Sequence, residues 1–304
     1  MVRVNWRGIF RYIRMVDVLV LGGTGFVGSH IVDALKRHTQ FSVWIGSHRS
    51  TGPDVVPIDL TNLKPSIRHF DVVINAAGYG VVKTEKDTQK SVQINYVGPS
   101  VLFDSVADST FWIQVGTGLE YNVGYGQLTE QTPCHPKTIY GISKFVMSHY
   151  LLSHPARSSV IVRPFAMYGP REHGSKIIPY LIESQLHRRP VPLSSGVQRR
   201  DYVYVGDVGV WIAGLVQSHI AGHSIPSVIN VGSGQSTSIQ ELAIKLSKVL
   251  PRFEPELWQW GAVPARPNES DEFYNASTLA SEFGFVQSDS EISLQSTVNY
   301  YDQL

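Results

Sequence analysis

The 304-residue chain has a single cysteine, Cys134, only 17% charged residues, and no apolar run approaching the roughly 18 residues a membrane-spanning helix needs. A lone cysteine can neither close an internal disulfide nor supply a thiolate zinc site, so both staples are excluded. That usage fits an intracellular, reducing compartment, and a cytoplasmic location is expected. Twenty-six basic against twenty-five acidic side chains leave a net charge of +1. No bulk field therefore draws the protein to nucleic acid or to an anionic membrane, and any anion it binds must be met by local groups. His219 and His223 have the spacing of a metal pair, but Gly222 lies between them and no third ligand is evident, so no metal is expected. With 42% of its residues apolar the chain is globular, and it is long enough for one large α/β domain or a cofactor domain carrying a smaller second one.

The first fourteen residues hold Arg3, Arg7, Arg11 and Arg14 and no acidic residue. They precede Met15 and a strand, not a signal-peptide apolar region, and the simplest reading of 1–14 is an N-terminal extension the fold does not need. From Met15 onward the pattern is regular. Val16 to Leu21 is an apolar run that ends in glycines, and a helical pattern with Val27, Ile31, Ala34 and Leu35 on one side follows from about Phe26 to His38. Further β-branched runs at Phe41 to Ile45, Val55 to Ile58, Val72 to Ile74, Phe111 to Val115 and Val160 to Val162 are mostly separated by enough chain for crossover helices. This alternation predicts an α/β fold, a Rossmann-type doubly wound parallel sheet with helices on both faces. After Tyr168-Gly169-Pro170 the pieces shorten and proline and arginine become frequent, which marks a smaller C-terminal α/β substrate domain. Ser238 and Glu241 form a capping box opening a helix to about Leu250, and Pro251 to Pro267 should be loop and edge strand.

The strongest local signal is Gly22-Gly23-Thr24-Gly25-Phe26-Val27-Gly28, directly after the first strand. Glycines there allow a tight turn and close backbone approach, so that the helix N-terminus can point free N–H groups and its positive dipole end at a pyrophosphate. The second strand selects the dinucleotide. An NAD site usually ends this strand with a carboxylate for the ribose 2′-hydroxyl, whereas this chain reads Ile45-Gly46-Ser47-His48-Arg49. Gly46 removes the repelling charge, and Ser47, His48 and Arg49 supply donors and a cation for a 2′-phosphate, so NADPH/NADP is expected over NAD.

Tyr140 and Lys144 place a phenol and an ammonium one helical turn apart on one face. The spacing alone carries little weight, since Tyr79 and Lys83 repeat it. Position separates the two pairs: Tyr79 follows the fourth strand in the loop beginning Asn75-Ala76-Ala77-Gly78, while Tyr140 opens a helix preceded by a threonine-bearing strand end. That threonine, Thr117, lies just past the fifth strand, at the carboxyl edge of the sheet where ligands bind. Thr117, Tyr140 and Lys144 there would form a ketone-reducing triad in which Lys144 depresses the Tyr140 pKa toward neutrality.

With the glycine turn, Thr117, Tyr140 and Lys144 in this order, the sequence resembles the extended short-chain dehydrogenase/reductase family of NAD(P)-dependent nucleotide-sugar epimerases and dehydratases, from about Met15 to Ser277. The resemblance implies that Asp59-Leu60 contacts adenine, that Ala76-Ala77-Gly78 lies under the pyrophosphate with Tyr79 beside the substrate, and that Asn95 is a helix-kinking polar residue. It implies that Pro164-Phe165, in the segment Arg163 to Pro170, follows the sixth strand beside the cofactor, and that Gly118 borders the substrate. Arg200, in Arg200-Asp201-Tyr202, and Arg266 would meet the nucleotide diphosphate. It divides the chain into a cofactor domain of 15–169 plus about 203–232 and a nucleotide-sugar domain of 170–202 and 233–304. A homodimer through the helices near Lys86 to Ala107 and Tyr140 to Ser153 is implied as well, although core packing explains their apolar residues equally.

Two departures narrow the class. In the family's 4,6-dehydratases an aspartate and a glutamate follow the threonine and drive elimination. Here Gly118 and Leu119 follow it, so dehydration is not expected. Ala166 stands where many members aim an asparagine at the substrate. The resemblance within the family is to nucleotide-sugar 4-ketoreductases of the abequose synthase type, carried by Lys176 to Ile182, Gln198 to Val205, Gly261 to Val263 and Arg266 to Glu269. It implies NADPH-dependent reduction of a nucleotide-linked 4-keto-6-deoxyhexose. A sugar epimerase that retains NAD and a non-catalytic NADPH-sensing protein remain open alternatives.

Overall fold

The computed structural model describes residues 14–48, 50–63, 67–82, 84–121, 126–264 and 272–304. Seven strands build the central sheet: β1 (Val16–Leu21), β2 (Phe41–Ser47), β3 (Val55–Pro57), β4 (Val72–Asn75), β5 (Phe111–Val115), β6 (Ser159–Pro164) and β7 (Val228–Val231). Their order is β7-β6-β5-β4-β1-β2-β3 and every pairing is parallel, which makes this a Rossmann-type doubly wound sheet. The strand order reverses between β1 and β4, so the crevice at their carboxyl ends is the topological switch point.

The sheet is buried on both faces, and the period-2 geometry of a strand splits its side chains between two cores. Val18 and Val20 face α1 (Phe26–Leu35) together with Ile31, Leu35 and Ile212. Leu19 and Leu21 face the other way, with Phe103, Trp112, Met147 and Leu151. That second layer consists of α2 (Thr88–Val92), a π-helical turn Gln93–Val97, α3 (Gly98–Ser105) and α4 (Ile139–Leu152). A third core gathers residues of α5 (Ile177–Leu186), α7 (Ile239–Ser247) and the last helix, Ser290–Asp302, around Leu181, Ile182, Leu246, Trp258 and Leu294. A small sheet in the order 237–238, 199–200, 272–275, 126–128 carries Arg200.

Several boundaries differ from the expected ones. α1 ends at Leu35, where turn bonds from Arg37 and His38 to Ala34 and Leu35 close the helix. β2 runs on through Ser47 because β3 pairs with Ile45, Gly46 and Ser47 and lengthens the ladder. The Ser238–Glu241 capping box is present, but its helix stops at Ser247. Of residues 1–14 only Arg14 is described, and it pairs with Asp71 at 2.9 Å. Among the described residues no helix is long and apolar enough to cross a membrane. His219 stacks its ring on Phe111 at 3.9 Å, a packing role.

α6 (Val205–Ile220) crosses α1 at close range, and Gly209 makes the approach feasible: a Cβ there would stand 2.7 Å from the His30 carbonyl oxygen. Gly209→Ala should overpack this crossing and lower stability by about 1–3 kcal/mol. Thermal unfolding would read this as a lower Tm.

Candidate active site

At the switch point the backbone carries the geometry. Gly22 has φ +68°, a conformation natural to glycine, and a Cβ on it would lie 2.8 Å from the Ala77 Cα and 2.9 Å from the Ala77 nitrogen. At Gly28 a Cβ would reach within bonding range of the Gly22 carbonyl, so the start of α1 is packed directly onto the turn. The first turn of α1 has no acidic residue, and Thr24 and Gly25 are exposed. The glycine turn, the Ala76-Ala77 loop and the α1 N-terminus thus leave a backbone-lined cradle that suits a dinucleotide pyrophosphate. Phe26 and Val27 flank it, half-buried.

At the end of β2, Gly46 is buried and a Cβ there would lie 2.8 Å from the Leu21 side chain. Ser47 is buried and its hydroxyl accepts the Ser50 N–H at 3.1 Å, while His48 is exposed and lies close enough to Asp59 to help hold that carboxyl below its usual range, after the two bonds from Thr61. Leu60 is buried, its carbonyl accepting from Gln93 Nε2 at 3.2 Å. Arg49, Lys83 and Arg266 lie outside the described residues.

Asn95 sits in the π-helical turn and acts as a clamp. Its Oδ1 accepts the Tyr79 N–H at 2.9 Å, and its Nδ2 reaches the Tyr79 carbonyl and the Ser143 hydroxyl, both at 2.8 Å. The π turn, not a kink alone, is what brings this buried amide to the loop after β4. Beyond Tyr79, the Glu85 carboxylate accepts the N–H groups of Gly80, Val81 and Val82.

Gly78, Tyr140 and Lys144 converge: a Cβ on Gly78 would lie 3.6 Å from Lys144 Nζ and 3.8 Å from the Tyr140 ring. Lys144 Nζ donates to the Ala77 carbonyl at 2.7 Å and to the Val115 carbonyl at 2.9 Å, joining α4 to the chain just past β4 and to the end of β5. Burial pulls its pKa down to about 8. The Thr117 hydroxyl accepts the Leu119 N–H at 3.2 Å and lies near enough to the Tyr140 phenol to act on its pKa, so the three expected residues are brought together. Gly118 packs on the buried Phe165 ring, which follows Pro164 at the end of β6.

One expectation is corrected. The Tyr140 phenol is pushed up, not down, by burial first and then by the negative charges of Glu120 and Glu85, against the opposing effect of the nearby Thr117 hydroxyl. The lysine's ammonium is engaged by two carbonyls, and two carboxylates approach the phenol.

Sequence reasoning passed over Glu120 and Glu85. Glu120 did have a signal, because Thr117-Gly-Leu-Glu120 is the spacing of a capping box. The structure contains that box at the 3₁₀ turn Gly118–Glu120. Farther out, Arg200 stacks on Phe273 at 4.8 Å and donates to the Arg199 carbonyl at 2.6 Å. Its neighbour Asp201 is buried, with a carboxylate that accepts from the backbone of Ser233, Gly234 and Asn275 and from the Ser233 hydroxyl.

Residues 18–232 match the NAD dependent epimerase/dehydratase family. The chain belongs to that family. Members are NAD(P)-dependent nucleotide-sugar epimerases, dehydratases and reductases, and this protein is an enzyme of that oxidoreductase type. It is 28% identical over 250 residues to a Methanocaldococcus jannaschii protein provisionally named a UDP-glucose 4-epimerase, covering 74% of this chain and 79% of that one. It is 23% identical over 281 residues to CDP-abequose synthase of Salmonella muenchen, covering 88% and 92%. A solved UDP-glucuronic acid 4-epimerase from Bacillus cereus, in complex with UDP-glucuronic acid and NAD, has the same fold, with TM-score 0.81 at 22% identity over 95% of this chain and 99% of that one.

The Asn95 clamp can be tested directly. Asn95→Ala should cost about 1–3 kcal/mol by leaving buried polar partners unpaired. Amide exchange at Tyr79 should accelerate at the same time. An unchanged melt with unchanged exchange would remove Asn95 from this role.

Proposed function

We propose that the protein is an NADPH-dependent reductase of the C4 ketone of a nucleotide-linked 4-keto-6-deoxyhexose. The observation that carries this reading is the meeting of Thr117, Tyr140 and Lys144 beside the switch point, with neither Gly118 nor Leu119 able to supply a base for elimination. The end of β2 supports NADP(H). At Gly46, where an NAD site would place its carboxylate, a side chain would crowd Leu21, while Ser47, His48 and Arg49 follow. The similarity to CDP-abequose synthase, which spans 92% of that enzyme, agrees with a reductase.

When bound, the dinucleotide supplies the hydride. Its pyrophosphate fits the turn of Gly22, Thr24, Gly25 and Gly28 against Ala76, Ala77 and Gly78, with Asp59 and Leu60 toward adenine. Tyr140 holds a proton that its raised pKa keeps in place at neutral pH, and it delivers that proton to the carbonyl oxygen as C4 is reduced. Thr117 orients the same oxygen, and Lys144 offers its remaining proton to the nicotinamide ribose. Arg200, with Arg266, meets the diphosphate in the region of 170–202 and 233–304, while 15–169 and about 203–232 hold the cofactor. A homodimer through α2 to α4 is part of the reading, and Val92, Val101, Ile142 and Leu152 are exposed on those helices.

Tyr140→Phe should nearly abolish turnover of CDP-, dTDP- or GDP-linked 4-keto-6-deoxy sugars while NADPH still binds. Turnover at the wild-type level would refute the assignment. NADPH should support faster reduction than NADH. Tightly held NAD with sugar isomerisation and no net nicotinamide oxidation would point to an epimerase, and saturable NADPH binding without turnover to a sensor.

The buried Lys144 sets a pH limit. Its charge is present below about 8 and lost above it, so kcat/KM, which reports the free enzyme, should fall as pH rises through that value. A profile flat from pH 7 to 9 would contradict the role given to its ammonium.

A further inference from the structure

We propose that Glu120 is a positioning residue of this site, holding Thr117 against Tyr140 and presenting a buried negative charge beside Tyr140 and Lys144. This rests on the reductase reading and extends it below the reacting groups. Glu120 is completely buried, and both its oxygens are engaged: Oε1 accepts the Thr117 N–H at 3.0 Å and Oε2 accepts Arg163 Nε at 2.9 Å. Space for the carboxylate exists only because residue 116 is glycine, since a Cβ there would occupy the position of Oε1. Arg163 is anchored in turn. Its Nη1 donates to the Tyr121 hydroxyl at 2.8 Å, that hydroxyl donates to Asn230 Oδ1 at 2.8 Å, and the Asn230 N–H donates to Glu130 at 2.8 Å.

Stability alone does not account for this arrangement. A buried ion pair does little better than an apolar pair of equal volume, because desolvation offsets its Coulombic attraction. Position does account for it. The Thr117 backbone is held by the carboxylate on one side, while the Thr117 hydroxyl, which accepts the Leu119 N–H, faces the neighbourhood of the Tyr140 phenol on the other. The Glu120 charge also favours the protonated forms of both Tyr140 and Lys144. The charged and titratable groups around this cluster are Glu120 on the turn after β5, Glu85 on the loop after β4, Lys144 on α4, and, on the far side of Glu120, Arg163 with Tyr121 and Cys134.

Glu120→Gln keeps an oxygen for the Thr117 N–H and removes the charge. The alkaline limb of kcat/KM for the keto-sugar should then move to lower pH by about one unit. The pH dependence of the NADPH dissociation constant, measured without sugar, should move the same way. A doubly apolar variant, E120V/R163M, leaves no unpaired charge and serves if the single variant does not fold. It should still bind NADPH but lose about ten- to a hundred-fold in kcat through a misplaced Thr117. Either variant folded, with wild-type kcat and superimposable pH profiles, would overturn the proposal. If the wild type itself reduces no keto-sugar, the reductase reading fails, while the binding profile still reports whether Glu120 acts on Lys144.

Discussion

Two hydrogen bonds from one buried ammonium hold this site together. Lys144 Nζ reaches across from α4 to the carbonyls of Ala77 and Val115, which stand at the carboxyl ends of neighbouring strands. A backbone carbonyl at the end of a parallel strand has no ladder partner, so it must be satisfied by something else. Lys144 satisfies two of them and thereby fixes α4 relative to the sheet. Tyr140, one turn earlier on the helix, inherits its position from this attachment, and so does Ser143, which meets Asn95. The stretch from Asn75 to Gly80, packed against Gly22 on its other side, completes the arrangement. The glycine turn and Tyr140 are therefore not independent modules: one lysine ties the loop packed on the first to the helix that carries the second.

Near-neutral charge overall forces the protein to handle anions locally, and its own carboxylates show how. Buried Asp201 is met by backbone N–H groups and a hydroxyl, buried Glu120 by Arg163, and half-buried Glu85 by three consecutive N–H groups. Each carboxylate orders the chain around it, which burying an unpaired charge would make prohibitively costly. Around Tyr140 the balance is deliberately unsymmetrical. Burial and two carboxylates act together on the phenol, and the opposing effect of the Thr117 hydroxyl does not reverse them. A phenol in that environment stays protonated at neutral pH.

The parts of the fold governed by local periodicity were legible in the sequence. β1 to β6 declared themselves as β-branched runs, and the glycine turn could be placed because a strand precedes it and a helix follows. Boundaries were less legible, since pairing sets them: nothing within 41–47 says that β3 will lie alongside and extend β2. Thr117, Tyr140 and Lys144 could be named from order and position. The electrostatics of Tyr140 could not, because Glu120 and Glu85 act on it from 20 and 55 residues earlier in the chain. Asn95 was recognisable as a polar interruption of a helix, but its four-way contact depends on a π turn that no periodicity announces.

The turn after β5 shows how register decides where a charge goes. Thr117 caps a 3₁₀ turn, in which side chains three apart fall on the same side. A carboxylate three residues on must therefore fold back onto the Thr117 N–H, where the space left by Gly116 receives it and Arg163 meets it. Positions 118 and 119 project elsewhere: Gly118 lies against the Phe165 ring, and Leu119 joins the small apolar cluster of Tyr121, Leu128, Phe165 and Phe273. Glu120 is turned inward and fully partnered, so what it acts on lies on its own side of the turn: the Thr117 backbone that it holds, and Tyr140 and Lys144, whose protonated forms its charge favours.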